Sequence, residues 1–312
     1  MRFFTKPGGL AILALLCMLA VAVPSVRADF LYVISSGGTI EKLDSSGNVI
    51  NSNFATVSGA ESLAFNANGN LFVGSSNGNI YEVTPSGSVT TFISGSFGYP
   101  VLAFNASGDL FVGASNNTGT IEELSSSGNV INSSFASGLG AISALAFNAN
   151  GDLFVASSSG SNIYEVTPSG SVSTFASAPF GLGAGLAFNA SGELYYATYE
   201  GYIYSVKPNS TTYLANIPAN TYFNDALAVN SSGDLFVSSG NVDSGGNVTQ
   251  FVYEVTPSGS VKQFANVAGP AGLAFQPAIA SVPAPSSLTL LGLGLCGLAG
   301  YTWRGRRYLS VP

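Results

Sequence analysis

Two carboxylates hold matching places in a repeated sequence. Glu61 and Asp225 each stand two residues ahead of the Leu of a Leu-Ala pair, where the other copies have Pro100, Ser143, Ala184 and Ala271, and Asn224 adjoins Asp225. Carboxylate and amide oxygens of this kind suit calcium or magnesium. The competing reading is a pair of solvated loop carboxylates. Acid-base chemistry is otherwise poorly served. The chain contains no histidine, which removes the commonest general base, the Ser-His dyad and histidine-ligated zinc. Gly74-Ser75-Ser76-Asn77-Gly78 matches the nucleophile-elbow string, but no helix follows it and nothing activates the serine, so it reads as a turn. The loop Asn148-Ala149-Asn150-Gly151-Asp152 has the look of a calcium loop without the closing bidentate glutamate, and ordinary turn chemistry explains it.

The elements that would position these groups come from the repeat. Aligned on the Leu of a Leu-aromatic-Val/Tyr triplet, copies start at Leu31, Leu71, Leu110, Leu153, Leu194 and Leu235, with spacings of 40, 39, 43, 41 and 41. Six copies of that period predict one four-stranded sheet each. In the clearest copy the predicted strands are Leu145 to Phe147, Leu153 to Val155, Asn162 to Val166 and Val172 to Phe175. Glycine-centred turns separate them, and Gly69, Gly108, Gly151, Gly192 and Gly233 are expected at positive φ.

Such sheets can stack into an open solenoid or close into a ring, and the ends of the repeat decide between them. The first copy opens at its second strand, Phe30 to Ile34, whereas the last is followed by a spare Gly272-Leu273-Ala274-Phe275. Lending that strand to the first copy closes a ring of six and hides the edges an array would expose. Small residues such as Ala64, Ala103, Ala146, Ala187 and Ala228 are expected at its crowded centre. The expected fold is all-β: a six-bladed β-propeller over residues 29–277. Through motifs such as GLAFNASGELYYA and NIYEVTPSGSV, this stretch resembles the NHL-type and gluconolactonase-like propellers. The resemblance implies fold, not activity. For the gluconolactonase-like members it also implies axial carboxylates and amides around a divalent cation, a set that Glu61, Asn224 and Asp225 only partly supply.

Charge narrows the partners. Between Asp29 and Ser281 lie three lysines (Lys42, Lys207, Lys262), no arginine and all 16 acidic residues. Such a surface cannot neutralise phosphates, so nucleic acid and anionic headgroups are poor candidates for partners. The same segment has no cysteine, the chain's two being Cys17 and Cys296. Asn105, Asn189, Asn230 and Asn247 open Asn-x-Ser/Thr triplets and read as turn asparagines.

Both flanks read as targeting segments. Residues 1–28 carry Arg2 and Lys6, an apolar run through Leu19 to Val23, and Val26-Arg27-Ala28, the pattern of a signal peptide removed by signal peptidase after Ala28. Residues 278–285 form a linker ending in Val282-Pro283-Ala284-Pro285; an apolar run from Leu288 to Trp303 and a basic stop of Arg304, Arg306 and Arg307 follow within 286–307. This reads as a short membrane helix with Tyr301 and Trp303 at the interface. The three-part end resembles the PEP-CTERM sorting signal of Gram-negative bacteria, in which Val-Pro-Glu-Pro is recognised by an exosortase, a membrane protease-transpeptidase; here Ala284 replaces the glutamate. The resemblance implies transient anchoring in the inner membrane, then transfer to the cell surface or extracellular matrix. The expected role is non-catalytic, binding polysaccharide or a surface protein, with no cofactor. The alternative is a calcium- or magnesium-dependent lactonase or related hydrolase using Glu61 and Asp225.

Overall fold

The computed structural model describes residues 29–95, 97–114, 119–177, 185–217, 226–242 and 248–277. These form 24 strands in six four-stranded antiparallel sheets, with a single 3-10 turn at Ser36–Gly38 as the helical content among the described residues. In chain order the inner, second, third and outer strands of blade 2 are Ala60–Phe65, Leu71–Ser75, Ile80–Val83 and Val89–Ile93. Blades 3 to 6 repeat this plan from inner strands Pro100–Phe104, Ile142–Phe147, Gly185–Phe188 and Leu227–Val229.

Blade 1 is composite, as its sequence predicts. Leu273–Phe275 is its inner strand and pairs antiparallel with Leu31–Ser35, in the register Leu31 with Phe275 and Val33 with Leu273. Thr39–Leu43 and Val49–Thr56 complete it. The two ends of the described chain are thereby hydrogen-bonded to each other. Asp29 adds a second tie: its carboxylate accepts hydrogen bonds from the N–H and the hydroxyl of Ser231 on blade 6.

Six apolar clusters fill the seams between blades. Five contain the same three-ring wedge, made by an aromatic on the second strand of one blade, one on its outer strand, and one closing the next blade's inner strand. Phe154 meets Phe175 at 4.8 Å and Phe188 at 5.0 Å, both edge to face. Tyr32, Phe72, Phe111 and Phe236 head equivalent wedges. Edge-to-face geometry contributes about 0.5–1.5 kcal/mol per pair beyond burial. The seam between blades 5 and 6 is the exception: Tyr195 packs there with Leu214 and Val229.

Strand direction gives the ring two unlike ends. Inner strands run toward the base, where the inner-to-second and third-to-outer turns lie; the blade-to-blade connectors and second-to-third turns lie at the opposite end. At the base, Asn148 Oδ1 accepts the N–H groups of Asn150 and Asp152 at 2.9 Å each, and its amide donates to Asp152 at 3.0 Å. Asn66, Asn189 and Asn230 clamp their turns in the same way. The turn glycines named above have φ between +81° and +89°, where a side chain is strained. In the third-to-outer turn, Gly170 lies so close to the Phe135 carbonyl of the previous blade that a Cβ would collide with it.

Candidate functional site

At the end opposite the base, the six inner strands converge on an axial cavity of about 240 Å³. Leu63, Leu102, Leu145, Leu186, Leu227 and Leu273, one from each blade, line it. The alanines expected at the centre are placed otherwise. Ala64, Ala103, Ala146, Ala187 and Ala228 pack into the clusters between blades, each opposite the aromatic of the second strand, as Ala146 is opposite Phe154. Their size makes room for the wedge, and the alternating leucine lines the axis.

Polar groups surround this apolar lining. Glu61, Tyr99, Ser143 and Tyr199 border the cavity from blades 2, 3, 4 and 5. Glu61, at the start of its inner strand, is exposed. Ser62 donates its hydroxyl to the Pro100 carbonyl of the next blade, and Ser143 donates to the Ala156 carbonyl at 3.3 Å. Tyr99 is 55% exposed and has φ +53°, a left-handed conformation unusual for a bulky residue. The connectors behind the mouth are tied to buried hydroxyls: Ser75 donates to the Ser58 carbonyl at 2.8 Å, and Ser238 accepts from the Ala226 N–H at 3.1 Å.

Of the sequence-predicted metal ligands, Glu61 borders the cavity, whereas Asn224 and Asp225 lie outside the described residues. Among the described residues Glu61 is the one carboxylate in the lining, and no three acidic side chains cluster to hold a metal ion. Calcium takes about six to eight oxygens, and of the carboxylates that could supply them the described lining holds Glu61. Ser76, the serine of the elbow-like string, sits in a turn with its N–H bonded to the Gly59 carbonyl at 2.7 Å, as the sequence implies. Tyr99, Tyr199 and the leucine ring were not legible as site residues. A leucine on an inner strand has the same sequence signature whether it lines a cavity or fills a core, and Tyr99 lies in a connector that no other copy shares.

The sorting signal is where comparison with known proteins speaks most directly. Residues 281–307 match the PEP-CTERM protein-sorting motif. Such a motif implies exosortase processing and export to the cell envelope. Val282, Pro283, Ala284, Pro285, Arg304, Arg306 and Arg307 fall within it and lie outside the described residues, as does the signal segment 1–28. No helix among the described residues is long and apolar enough to cross a membrane.

The body shares its fold with solved propellers at low identity. A protein of unknown function from Bacteroides caccae is 14% identical with a TM-score of 0.61, covering 80% of this chain and 99% of its own. A gluconolactonase from Xanthomonas campestris is 15% identical with a TM-score of 0.60, covering 78% of this chain and 82% of its own. A catalytically inactive histidine-to-alanine variant of virginiamycin B lyase from Staphylococcus aureus, solved with quinupristin, is 14% identical with a TM-score of 0.53, covering 81% and 94%. No curated protein matches the chain.

Proposed function

We propose that the chain is an exported, non-catalytic propeller of the cell surface or extracellular matrix of a Gram-negative bacterium. It binds a surface polysaccharide or protein at its cavity end after its tail has held it briefly in the inner membrane. The observation that carries this reading is the make-up of the axial cavity: a leucine lining, hydroxyls engaged in holding backbone, two tyrosines and a single described carboxylate. That set can recognise a ligand through contact and hydrogen bonds, but it offers no acid-base pair. The lyase with the same fold loses its activity when one histidine becomes alanine, and this chain has no histidine at all.

A second reading is favoured by one observation. Glu61 is exposed at the cavity, in the repeat position that Asp225 holds in blade 6, and a gluconolactonase shares the fold. On that reading Glu61, Asn224 and Asp225 hold calcium or magnesium for a lactonase. Thermal melting in saturating calcium separates the two. The binding reading expects no shift. Site-specific binding at a hundredfold excess over Kd stabilises by about 2.7 kcal/mol, roughly 5–10 °C for a body of this size. Such a shift, abolished in Glu61→Ala, would establish the metal site and overturn the non-catalytic reading.

A further inference from the structure

The path of the chain fixes which end of the propeller can face outward. Leu273–Phe275 runs down the inner edge of blade 1 and ends at the base. The Gln276 N–H then donates to the Phe30 carbonyl at 3.1 Å. Asp29, at the other end of the described body, is held by Ser231 in a base turn of blade 6. Both flanking segments thus join the body at its base. Because Leu273–Phe275 is an inner strand, the tail leaves beside the ring axis and not at the rim.

The distances are restrictive. Pro277 is the last described residue and the sorting motif begins at Ser281. The quartet Val282-Pro283-Ala284-Pro285, which the protease is expected to grip, lies five to eight Cα steps beyond Pro277, at most about 18 to 29 Å. From inner to outer strand a blade measures three spacings of about 4.8 Å, about 14 Å before side chains are added. From base to cavity end, strands of five or six residues add roughly 17–20 Å, plus the turns. A protease gripping the quartet therefore cannot reach it from the cavity end, which lies the width of a blade plus its full height away. It must approach from the base side.

We propose that the base is the face that meets the sorting protease and the membrane, and that the axial cavity is held on the outward side. This rests on the reading of the tail as a sorting motif followed by a membrane segment. The base is unsuited to adhering to anionic lipid itself. Asp44, Asp109, Asp152, Glu193 and Asp234 all lie in its turns, so the orientation comes from the short tether and not from adsorption.

The test uses the signal-processed full chain with Cys296→Ser in lipid nanodiscs. One fluorophore is attached through Asn68→Cys at the base or Ser58→Cys at the cavity end, both exposed and both at blade 2, with acceptors on the lipid headgroups. Energy transfer is expected to be several-fold greater from position 68. Twelve Gly/Ser residues inserted after Pro277 should bring the two positions close to parity. Equal transfer without the insert, or greater transfer from position 58, overturns the proposed orientation. Trp303, the chain's single tryptophan, reports separately on the tail. Blue-shifted emission with equal transfer condemns the orientation alone, whereas water-like emission overturns the membrane-tail reading and the proposal with it.

Discussion

The base and the cavity end are made by the same strands and differ in almost everything else. At the base the turns of blades 2, 4, 5 and 6 repeat closely, an asparagine clamping two backbone N–H groups and a glycine taking positive φ, and the five three-ring wedges lie in the adjoining half of the sheets. At the cavity end no two connectors share a sequence, running from Val57-Ser58-Gly59 to the ten residues 217–226. The contrast teaches where each constraint acts. The base closes the ring, so its residues are set by backbone geometry and packing; the cavity end is released from that task and can differ from blade to blade.

The sharpest way to break this contrast is to damage the base. Gly170→Val adds a collision with the Phe135 carbonyl to the strain of φ +82°. Together these should cost about 3 kcal/mol or more, lowering Tm by roughly 6–12 °C in a thermal melt. Gly151→Val, where the nearest atom to a new Cβ is Pro168 Cγ at 3.9 Å, should suffer the backbone strain alone and lose about half as much. Equal losses would show that the approach of the turn to the neighbouring blade is unimportant.

Alkaline pH should strike the buried tyrosines, two of which lie in the base half. Burial pushes the Tyr32 phenol up to about 12, and burial with help from Glu193 pushes Tyr195 to about 12. These phenols stay protonated in the folded ring at pH values where an unfolded tyrosine, near 10, has already ionised. Their contribution is complete below pH 10 and is lost as pH rises through 12. Melting followed with tyrosinate absorbance should show Tm falling steeply between those limits. A flat Tm would remove the buried phenols from the account.

Smaller effects sharpen the comparison. Asn148→Ala orphans two N–H groups of one base turn and should cost about 1–2 kcal/mol. At the cavity end the sign reverses: Tyr99→Gly relieves a left-handed tyrosine and should leave Tm unchanged or raise it by about 1–3 °C; on the binding reading proposed above it should also weaken the ligand. A clear loss of stability in Tyr99→Gly would make Tyr99 a structural residue.

What the sequence disclosed follows the same division. The strands of every blade, their turns and the loan of Leu273 to Phe275 were legible because the repeat states each of them several times, and a strand missing at one end reappears at the other. Glu61 stood out because it departs from its repeat. The alanines were misplaced because alternation along a short strand separates two faces without saying which one meets the axis. Tyr99 and Tyr199 escaped because a residue outside the repeat has no sister position to be compared with.

The borrowed strand has a consequence in time. An exported polypeptide crosses the membrane with its amino end leading, so Leu31–Ser35 arrives early and waits while five whole blades follow. Its partner, Leu273–Phe275, is among the last of the body to emerge, only six residues ahead of Ser281, where the sorting motif begins. Sealing of the circle and delivery of the address label are thus nearly simultaneous, and a chain cut short before that strand would be left both unsealed and unlabelled.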